Sequence, residues 1–392
     1  MINVLHLRDT DRVCGPGKTI IETARAATAG EFHHVVGLPL LESEGRNEYY
    51  EAAVERGVDV VPLRSAHQLD PRILRAILRV VRDREIHLVH SHEYKTDLLA
   101  WAVSRLHPIP IMTTVHGWIR NDLKGRLYVR AGQAVLSRFD RVVAVSDRTR
   151  QAVLACGVPA ERVVLIHNGV VAERYDPAGV ERGQIRRRFG IPAEARVVGC
   201  IGRLSPEKGQ RDLLAAAGRV FQTHQDVRLL YCGDGPDRPV LEREAARTGM
   251  ADRVIFTGHL SDVRPVYRDI DLLALTSHTE GFPNVILEAL CMETPVLATD
   301  VGGVREVVED GRTGVLLPAG AIDAIADRLV RLLDSPQWAG ELARNGKATV
   351  LERFSFGQRV AKEEAVCREM LAAWRARRAP AVRRSAAGTP LR

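Results

Sequence analysis

The first half of the chain alternates short apolar runs with stretches of helical periodicity. The apolar runs predict strands at residues 2–7, 33–38, 58–62, 86–90, 109–115, 140–145 and 162–166. Helical patterns lie between most of them. This alternation is typical of a parallel sheet whose crossover connections are helices, so the first half predicts an α/β domain.

A second alternation of the same kind fills the other half. Its predicted strands lie at residues 196–202, 227–232, 253–257, 271–275, 295–299 and 314–317. Residues 171–180 have no clear period, and they contain a proline and a glycine, so we place the domain boundary there. The predicted fold class is α/β, with two doubly wound, Rossmann-like domains. Such sheets bind ligands at the carboxyl ends of their strands, so we expect the site in the inter-domain cleft.

The end of the chain is predicted to be helical and then irregular. Helical patterns cover residues 321–333, 337–350 and 356–374, and the last helix is a candidate to cross back to the first domain. The predicted divisions of the chain are two domains and a tail, at residues 1–175, 176–374 and 375–392.

Residues 276–303 combine a polar loop, an apolar helix and a buried strand. Asn284 is suited to start the helix, and Glu288 lies one turn further on the same face. Since the rest of the helix is apolar, Glu288 should be buried with it. Desolvating an unpaired carboxylate is costly, so Glu288 needs either a protein cation or donors on a bound molecule, such as sugar hydroxyls.

Composition places the chain among soluble globular proteins. Its 392 residues exceed what one hydrophobic core usually holds, and 45% of them are hydrophobic and 27% charged. No apolar run is long enough to span a membrane, and the N-terminus enters a strand directly instead of a signal peptide. Six cysteines form no C-x-x-C pair, which indicates reduced thiols and argues against a zinc site. We expect a cytoplasmic protein.

Basic residues are concentrated in two segments. The tail over residues 375–392 has six arginines and no acid, and it carries nearly all of the net charge of +7. Residues 118–130 combine apolar side chains with four basic ones and one acid. Both segments suit peripheral contact with an anionic membrane. The alternatives are a solvated tail and a helix that packs on its own domain; no nucleic-acid partner is expected.

Two places along the chain suit the phosphates of a nucleotide. Gly17 lies in GPGKT, which lacks glycines that a P-loop or a Rossmann fingerprint requires, but a glycine turn that opens a helix still offers N–H groups. Arg203 and Lys208 follow a predicted strand, where two cations would suit a diphosphate. Ion pairs with Glu207 or Asp212 are the alternative for these cations.

Metal-ligand patterns are weak in this sequence. D-x-D triplets at 9–11 and 269–271 arise easily by chance, and His90 and His92 have no accompanying ligand spacing, so we predict no metal site. A structural or acceptor-shaping role is favoured for these two histidines. His116 ends a predicted strand at the cleft, where it is suited to bind a hydroxyl or carry a proton.

Taken together, the motifs resemble those of a known family. The chain is similar to the retaining, nucleotide-sugar-dependent glycosyltransferases of family 4, also called glycosyl transferases group 1. The likeness rests on GRLSPEKGQRDLL, YCGDGP, FTGHL, EGFPNVILEAL, PVLATDVGGVREVV, VAVSDRTR and VLIHNGV, and it runs from about residue 2 to residue 374. It implies the GT-B fold, with an N-terminal acceptor-binding domain and a C-terminal nucleotide-sugar-binding domain.

The resemblance also implies roles for individual residues. The E-x7-E pair of the family falls on Glu280, which would face the donor sugar, and on Glu288, which is then better explained as a ribose ligand than as half of an ion pair. Arg203 and Lys208 would neutralise the diphosphate, and His116 would touch the transferred sugar. The other donor-binding residues implied are Gly17, Gly258, His259, Leu260 and Asn284.

The implied reaction is transfer of a hexose, with retention, from a nucleotide-diphosphate sugar to a hydroxyl of a saccharide or lipid-linked acceptor. A UDP-sugar is favoured over a GDP-sugar, and neither a cofactor nor a metal is expected. Polysaccharide, lipopolysaccharide or glycolipid synthesis is the expected setting, on the cytosolic face of a membrane. The alternatives are a GT-B-like nucleotide-sugar epimerase or hydrolase, and a non-catalytic protein that binds nucleotide sugars or polyanions.

Two positions depart from the pattern of the family. Thr294 stands where the family usually has glycine, and it would be strained if the backbone there required a positive φ. The loop CGPGK replaces a glycine pair followed by an acid, which weakens the assignment of Gly17.

Overall fold

The computed structural model describes residues 1–43, 45–67, 70–118 and 123–378, without the side chains of residues 123–128. Residues 119–122 of the basic segment at 118–130, and the tail from residue 379 onward, lie outside the described residues. The predicted membrane contact of both segments therefore stays a prediction. No helix in the described ranges is both long enough and apolar enough to cross a bilayer.

The described strands of the first half form one parallel sheet. They are β1 (Ile2–Leu7), β2 (Phe32–Leu41), β3 (Asp59–Ser65), β4 (Leu88–Ser91), β5 (Ile111–Val115), β6 (Arg141–Ala144) and β7 (Val163–Leu165). Their order across the sheet is β3-β2-β1-β4-β5-β6-β7. The direction of winding reverses between β1 and β4, which is where a doubly wound sheet opens a crevice at its carboxyl edge.

A second parallel sheet follows in the other half of the chain. Its strands are β8 (Arg196–Ile201), β9 (Val227–Cys232), β10 (Val254–Gly258), β11 (Leu272–Leu275), β12 (Val296–Thr299) and β13 (Val315–Leu317). The order is β10-β9-β8-β11-β12-β13, with the reversal between β8 and β11. The predicted α/β class with two doubly wound sheets is therefore confirmed. The largest differences are in β2 and β3, which both continue three residues further than predicted because they keep pairing up to Leu41 and Ser65.

Helices connect the strands and cover the sheets. They are α1 (Gly15–Ala26), α2 (Glu48–Glu55), α3 (Arg72–Asp83), α4 (Tyr94–Leu106), α5 (Leu123–Leu136), α6 (Asp147–Ala155), α7 (Gln184–Arg188), α8 (Gln210–Thr223), α9 (Arg238–Arg247), α10 (Arg264–Asp269), α11 (Asn284–Cys291), α12 (Val304–Val307), α13 (Ile322–Asp334), α14 (Pro336–Arg353) and α15 (Phe356–Arg378).

The last helix, α15, ties the two halves together. Its residues Val366, Cys367 and Met370 are buried in one cluster with Val4 and Leu88 of the first sheet. Burying apolar side chains of this size stabilises such a contact by roughly 1.5–3 kcal/mol each. The chain therefore returns from the second sheet to the first and holds the two carboxyl edges near one another.

Candidate active site

The loop after β11 holds Glu280 against a cation from the neighbouring strand connection. Lys208 follows β8 and places its Nζ 2.7 Å from Glu280 Oε1. The hydroxyl of Ser277 donates to the same oxygen at 2.6 Å. The Glu280 side chain is only 7% exposed, and Lys208 supplies the positive charge that its burial requires. Lys208 thus pairs with Glu280, and not with Glu207 or Asp212.

Two glycines allow the Glu280 loop to pack between the two sheets. A Cβ atom on Gly281 would lie 2.0 Å from the carbonyl oxygen of His116. Gly302 has a φ of +58°, and a Cβ there would lie 1.9 Å from the carbonyl oxygen of Glu280. Since no side chain fits at either position, glycine is required at both. This close packing brings Glu280 of the second half next to His116 of the first.

Glu288 lies on the buried face of α11, as predicted, and is 6% exposed. Lys18 of α1 places its Nζ 2.5 Å from Glu288 Oε1, and the hydroxyl of Tyr267 donates to Oε2 at 2.9 Å. Burial, with the Glu288 charge, raises the pKa of Tyr267 well above its usual value, so the hydroxyl stays a donor. Glu288 therefore does form an ion pair with a protein cation, which was the alternative to a ribose ligand, and the predicted ribose contact stays a prediction.

Asn284 is the first residue of α11, as predicted. Its side-chain nitrogen lies 3.4 Å from the carbonyl oxygen of Gly15, at the start of α1. Its Oδ1 is buried and has no hydrogen-bond partner among the described residues. The N-terminal turns of α1 and α11 therefore face one another, and together they present N–H groups and an unsatisfied amide oxygen.

Arg203 and the segment Gly258–Leu260 lie at the carboxyl ends of β8 and β10. Arg203 is exposed, and the side-chain amide of Gln210 donates to its carbonyl oxygen at 2.8 Å. His259 Nε2 lies 3.0 Å from Glu48 Oε1 of α2, so this edge also touches the first half. Leu260 is partly buried against the core of the second half.

His116 follows β5 and presents a neutral ring. Both of its ring nitrogens are buried and have no hydrogen-bond partner in the described part of the chain. Burial, reinforced by the charges of Arg8 and Arg359, holds the pKa of His116 well below its usual value. A neutral imidazole offers one donor and one acceptor, which suits a hydroxyl ligand.

Behind His116 lies a chain of buried histidines. The ring nitrogens of His6 lie 2.8 Å from His92 Nε2 and 2.7 Å from His34 Nδ1. The ring of His92 stacks on that of His116 with centroids 5.8 Å apart. Burial lowers the pKa of His6 and His92 well below the usual value and that of His34 to about 4. The rings therefore act as neutral, hydrogen-bonded side chains.

Two of these rings, together with that of the neighbouring His90, have the spacing of a metal-ligand group. His6, His90 and His92 have ligand atoms within 4.8 Å of one another. However, both His6 nitrogens already bond to other imidazoles, and the Arg8 guanidinium donates to the His92 carbonyl oxygen at 3.2 Å. A nearby guanidinium would repel a cation. We therefore interpret the group as a hydrogen-bonded core, while the absence of a metal requirement stays a prediction.

The structure gives Gly17 and Thr294 packing roles. A Cβ on Gly17 would lie 2.8 Å from the Tyr49 ring, so glycine is needed there for packing; the predicted phosphate contact stays a prediction. Thr294 is not the strained residue, because the positive φ of +56° falls on Glu293. Thr294 is buried, and its hydroxyl donates to the Tyr267 carbonyl oxygen at 2.9 Å.

Neither D-x-D triplet forms a cluster of free carboxylates. Asp9 forms an ion pair with Lys95 at 2.9 Å. Asp269 accepts the backbone N–H of Ile185 at 2.7 Å, and Asp271 accepts that of Val197 at 2.7 Å. These contacts are those of residues that order loops and strand ends.

Sequence reasoning missed Lys18, Tyr175 and Tyr267 as members of the site. Lys18 had a signal, since it lies in the glycine-rich turn that opens α1. The tyrosines had none, because only the folded chain brings them to Glu288. Tyr175 accepts a hydrogen bond from Lys18.

Comparisons with known proteins agree with this geometry. The model of the family described as Glycosyltransferase Family 4 matches residues 13–174, and that described as Glycosyl transferases group 1 matches residues 195–335. Together the two matches include every strand of both sheets except β1.

Two relatives extend the comparison. The chain is 34% identical over 231 residues to alpha-D-kanosaminyltransferase of Streptomyces kanamyceticus, a match that covers 58% of each chain. It is 30% identical over 314 residues to alpha-maltose-1-phosphate synthase of Mycolicibacterium smegmatis, covering 72% of this chain and 79% of that one.

The structure resembles that of HepE from Anabaena in complex with UDP and glucose. The TM-score is 0.82 at 23% sequence identity, and the match covers 94% of this chain and 99% of that one. This likeness concerns the fold, and the sequence matches concern the family. From both, the chain belongs to the glycosyltransferases of family 4 and has the GT-B fold.

Proposed function

We propose that the chain transfers a sugar, with retention, from a nucleotide-diphosphate sugar to an acceptor hydroxyl. The observation that carries the proposal is the position of the two carboxylates. Glu280 and Glu288 lie on either side of the N-terminal turn of α11, and each is paired with a lysine, Lys208 or Lys18. A nucleotide-diphosphate sugar matches these charges. Its diphosphate is negatively charged, as the lysines require, and the hydroxyl groups at its two ends suit the carboxylates.

The proposed chemistry follows from the charges at the cleft. Lys208 and Arg203 would stabilise the diphosphate as the bond from the donor sugar breaks, aided by the N–H groups that start α11. Glu280 would face the donor sugar, and the neutral ring of His116 would bind one of its hydroxyls. None of these steps uses a metal ion. The HepE structure, which contains UDP and glucose, supports a UDP-sugar as the first donor to test.

The acceptor is proposed to be a saccharide or a lipid-linked saccharide. It would bind at the carboxyl edge of the first sheet, opposite the nucleotide. A role in polysaccharide, lipopolysaccharide or glycolipid synthesis, in the cytoplasm and on an anionic membrane face, is part of the proposal. The basic segment at 118–130 and the tail at 375–392 are the candidate contacts with that membrane.

The proposal is tested with UDP-, GDP- and ADP-sugars, each incubated with and without a panel of saccharide acceptors. We expect product only when an acceptor is present, with the donor's anomeric configuration retained in the product by NMR. We also expect the rate to be unchanged in excess EDTA. A rate that EDTA abolishes and added Mg²⁺ restores would contradict metal independence.

Two other outcomes would favour the alternative functions. Consumption of the donor without any acceptor would indicate an epimerase or a hydrolase. Binding without turnover, lost when residues 375–392 are removed, would indicate a non-catalytic binding protein.

A further inference from the structure

Lys18 is the cation that the first half contributes to the floor of the cleft. It lies in the first turns of α1, and its Nζ is 2.5 Å from Glu288 Oε1. Its side chain is 26% exposed, against 8% for Glu288, so the pair lies at the boundary between the cleft and the core. Lys18, Asn284, Glu288 and Tyr175 line one cavity, and the ion pair crosses it.

The ion pair and the proposed ribose contact compete for the same carboxylate. Tyr267 donates to Glu288 Oε2 at 2.9 Å, and Lys18 engages Oε1. Each oxygen can accept more than one hydrogen bond, but only 8% of the Glu288 side chain is exposed. A ribose diol therefore has to reach the carboxylate from the side of the cleft, where Lys18 now lies. Tyr267 is fixed because it is only 1% exposed. Lys18 is the partner that can leave, because its charge is carried on a flexible four-carbon stem.

When Lys18 leaves Glu288, it loses the anion that balances its charge. Within the protein the nearby carboxylate of Glu22 is already paired with Arg174 at 2.7 Å and Arg25 at 3.3 Å. In a nucleotide, the phosphate bonded to the ribose lies a few ångströms from the ribose hydroxyls, within the reach of a lysine side chain. The ligand therefore brings the replacement anion with it.

We infer that Lys18 is a donor-binding residue that exchanges Glu288 for the phosphate next to the ribose when a nucleotide enters. The inference rests on the proposed function, and it adds a phosphate ligand from the first half to those of the second. The exchange breaks an ion pair between the two halves and replaces it with one that passes through the ligand. Lys18 and Glu288 therefore each have a partner both before and after the nucleotide binds.

The test compares the Kd of UDP and of uridine, measured by isothermal titration calorimetry, for the full chain and for Lys18→Met. Methionine keeps most of the side-chain volume and removes the charge. We expect the Kd of UDP to rise about ten- to a hundredfold, because one charge-assisted contact is lost. The Kd of uridine should stay the same or fall, because ribose no longer competes with Lys18.

A matched control lies just beyond the C-terminal end of α11, the helix that carries Glu288, where Glu293 pairs with Lys347 of α14. Lys347 places its Nζ 2.7 Å from Glu293 Oε1 and is 28% exposed, so Lys347→Met removes a similar ion pair outside the cleft. This control should leave both dissociation constants unchanged. Lys18→Arg keeps the charge, so its Kd for UDP should stay within a few-fold of that of the unaltered chain. If Lys18→Met fails to fold by circular dichroism, the Lys18→Arg and Lys18→Gln variants decide by the same two constants.

Two results would overturn the inference while leaving the proposed function intact. One is an unaltered Kd for UDP in Lys18→Met. The other is an equal loss of affinity for UDP and uridine, which would assign Lys18 a purely structural role. If the unaltered chain binds none of UDP, GDP and ADP, the proposed function itself fails, and this inference fails with it.

Discussion

At the scale of single residues, Glu280 has an unequal environment on its two carboxylate oxygens. Lys208 and Ser277 both bond to Oε1, at 2.7 and 2.6 Å. Among the hydrogen bonds of the described residues, none ends on Oε2. One oxygen is thus held by the protein, which fixes the carboxylate, and the other remains available to a ligand in the cleft.

Glu280→Gln tests whether the negative charge of Glu280 acts on the ligand. The amide keeps the shape of the side chain but removes the negative charge, so we expect turnover to fall by about 10²–10³-fold. Binding of UDP should change by much less, since Glu280 is proposed to face the sugar. Initial rates and calorimetric Kd values measure the two effects. Near-normal turnover in the variant would contradict the assigned role.

At the scale of elements, α15 shows why the two halves behave as one unit. Arg359 and Glu363 of this helix pair at 2.7 Å, and their side chains are 4% and 3% exposed. Glu363 also lies 3.4 Å from His90 Nδ1, and Arg359 donates to the Thr23 hydroxyl at 2.9 Å. Burial opposes ionisation of Glu363, but Arg359 and His90 outweigh it and hold its pKa well below the usual value.

Glu363→Gln should destabilise the protein strongly. The change leaves the buried Arg359 charge without its carboxylate, which typically costs about 3–5 kcal/mol of unfolding free energy. Urea unfolding followed by circular dichroism measures it. The control is Glu309→Gln, at an exposed pair with Arg312, where we expect a loss below about 1 kcal/mol. Equal losses in both variants would show that α15 is not anchored by this pair.

At the scale of the whole molecule, the buried histidines make stability depend on pH. The pKa values of His6, His92 and His116 are well below the usual 6.5, and that of His34 is about 4, chiefly because of burial. Their contribution to stability is full above pH 6.5 and is lost as the pH falls, because the unfolded chain then binds protons that the folded chain does not.

Two carboxyls act in the opposite direction, because burial raises the pKa of both Glu93 and Asp97. Burial raises the pKa of Asp97 to about 7, against 3.8 when unfolded, even though Ser91 and Thr113 donate to it. Its contribution is full below pH 3.8 and is lost as the pH rises towards 7. Four histidines outweigh these two carboxyls, so unfolding between these limits takes up a net of about two to three protons.

We therefore expect the free energy of unfolding to fall steeply from pH 7 to pH 5, by roughly 3–4 kcal/mol per pH unit in the middle of this range. Urea unfolding at a series of pH values measures this slope. His34→Gln should reduce this slope by the contribution of about one proton. A free energy that stays constant between pH 7 and pH 5 would contradict the neutral state of the histidine chain.

Much of the fold was predictable because its signal is local. The strand bounds were predicted to within two residues at every end except the C-terminal ends of β2 and β3, since side chains alternate along a strand whatever lies beyond it. The burial of Glu288 followed from the apolar residues beside it on α11, and the start of that helix at Asn284 from the turn that precedes it. The positions of Glu280 and Lys208 at strand ends placed both at the cleft.

The partners of these residues were decided only by tertiary structure. Lys18 meets Glu288 across 270 positions of sequence, and the histidine chain gathers His6, His34 and His92 from three parts of the first sheet. Hydrophobic period and turn chemistry fix which face of an element is buried, but they carry no information on which distant element covers it. The sequence by itself determined two doubly wound sheets and a buried carboxylate in need of a partner. The packing of α1 against α11 decided that the partner is Lys18, because it brings this cation to the buried carboxylate of Glu288.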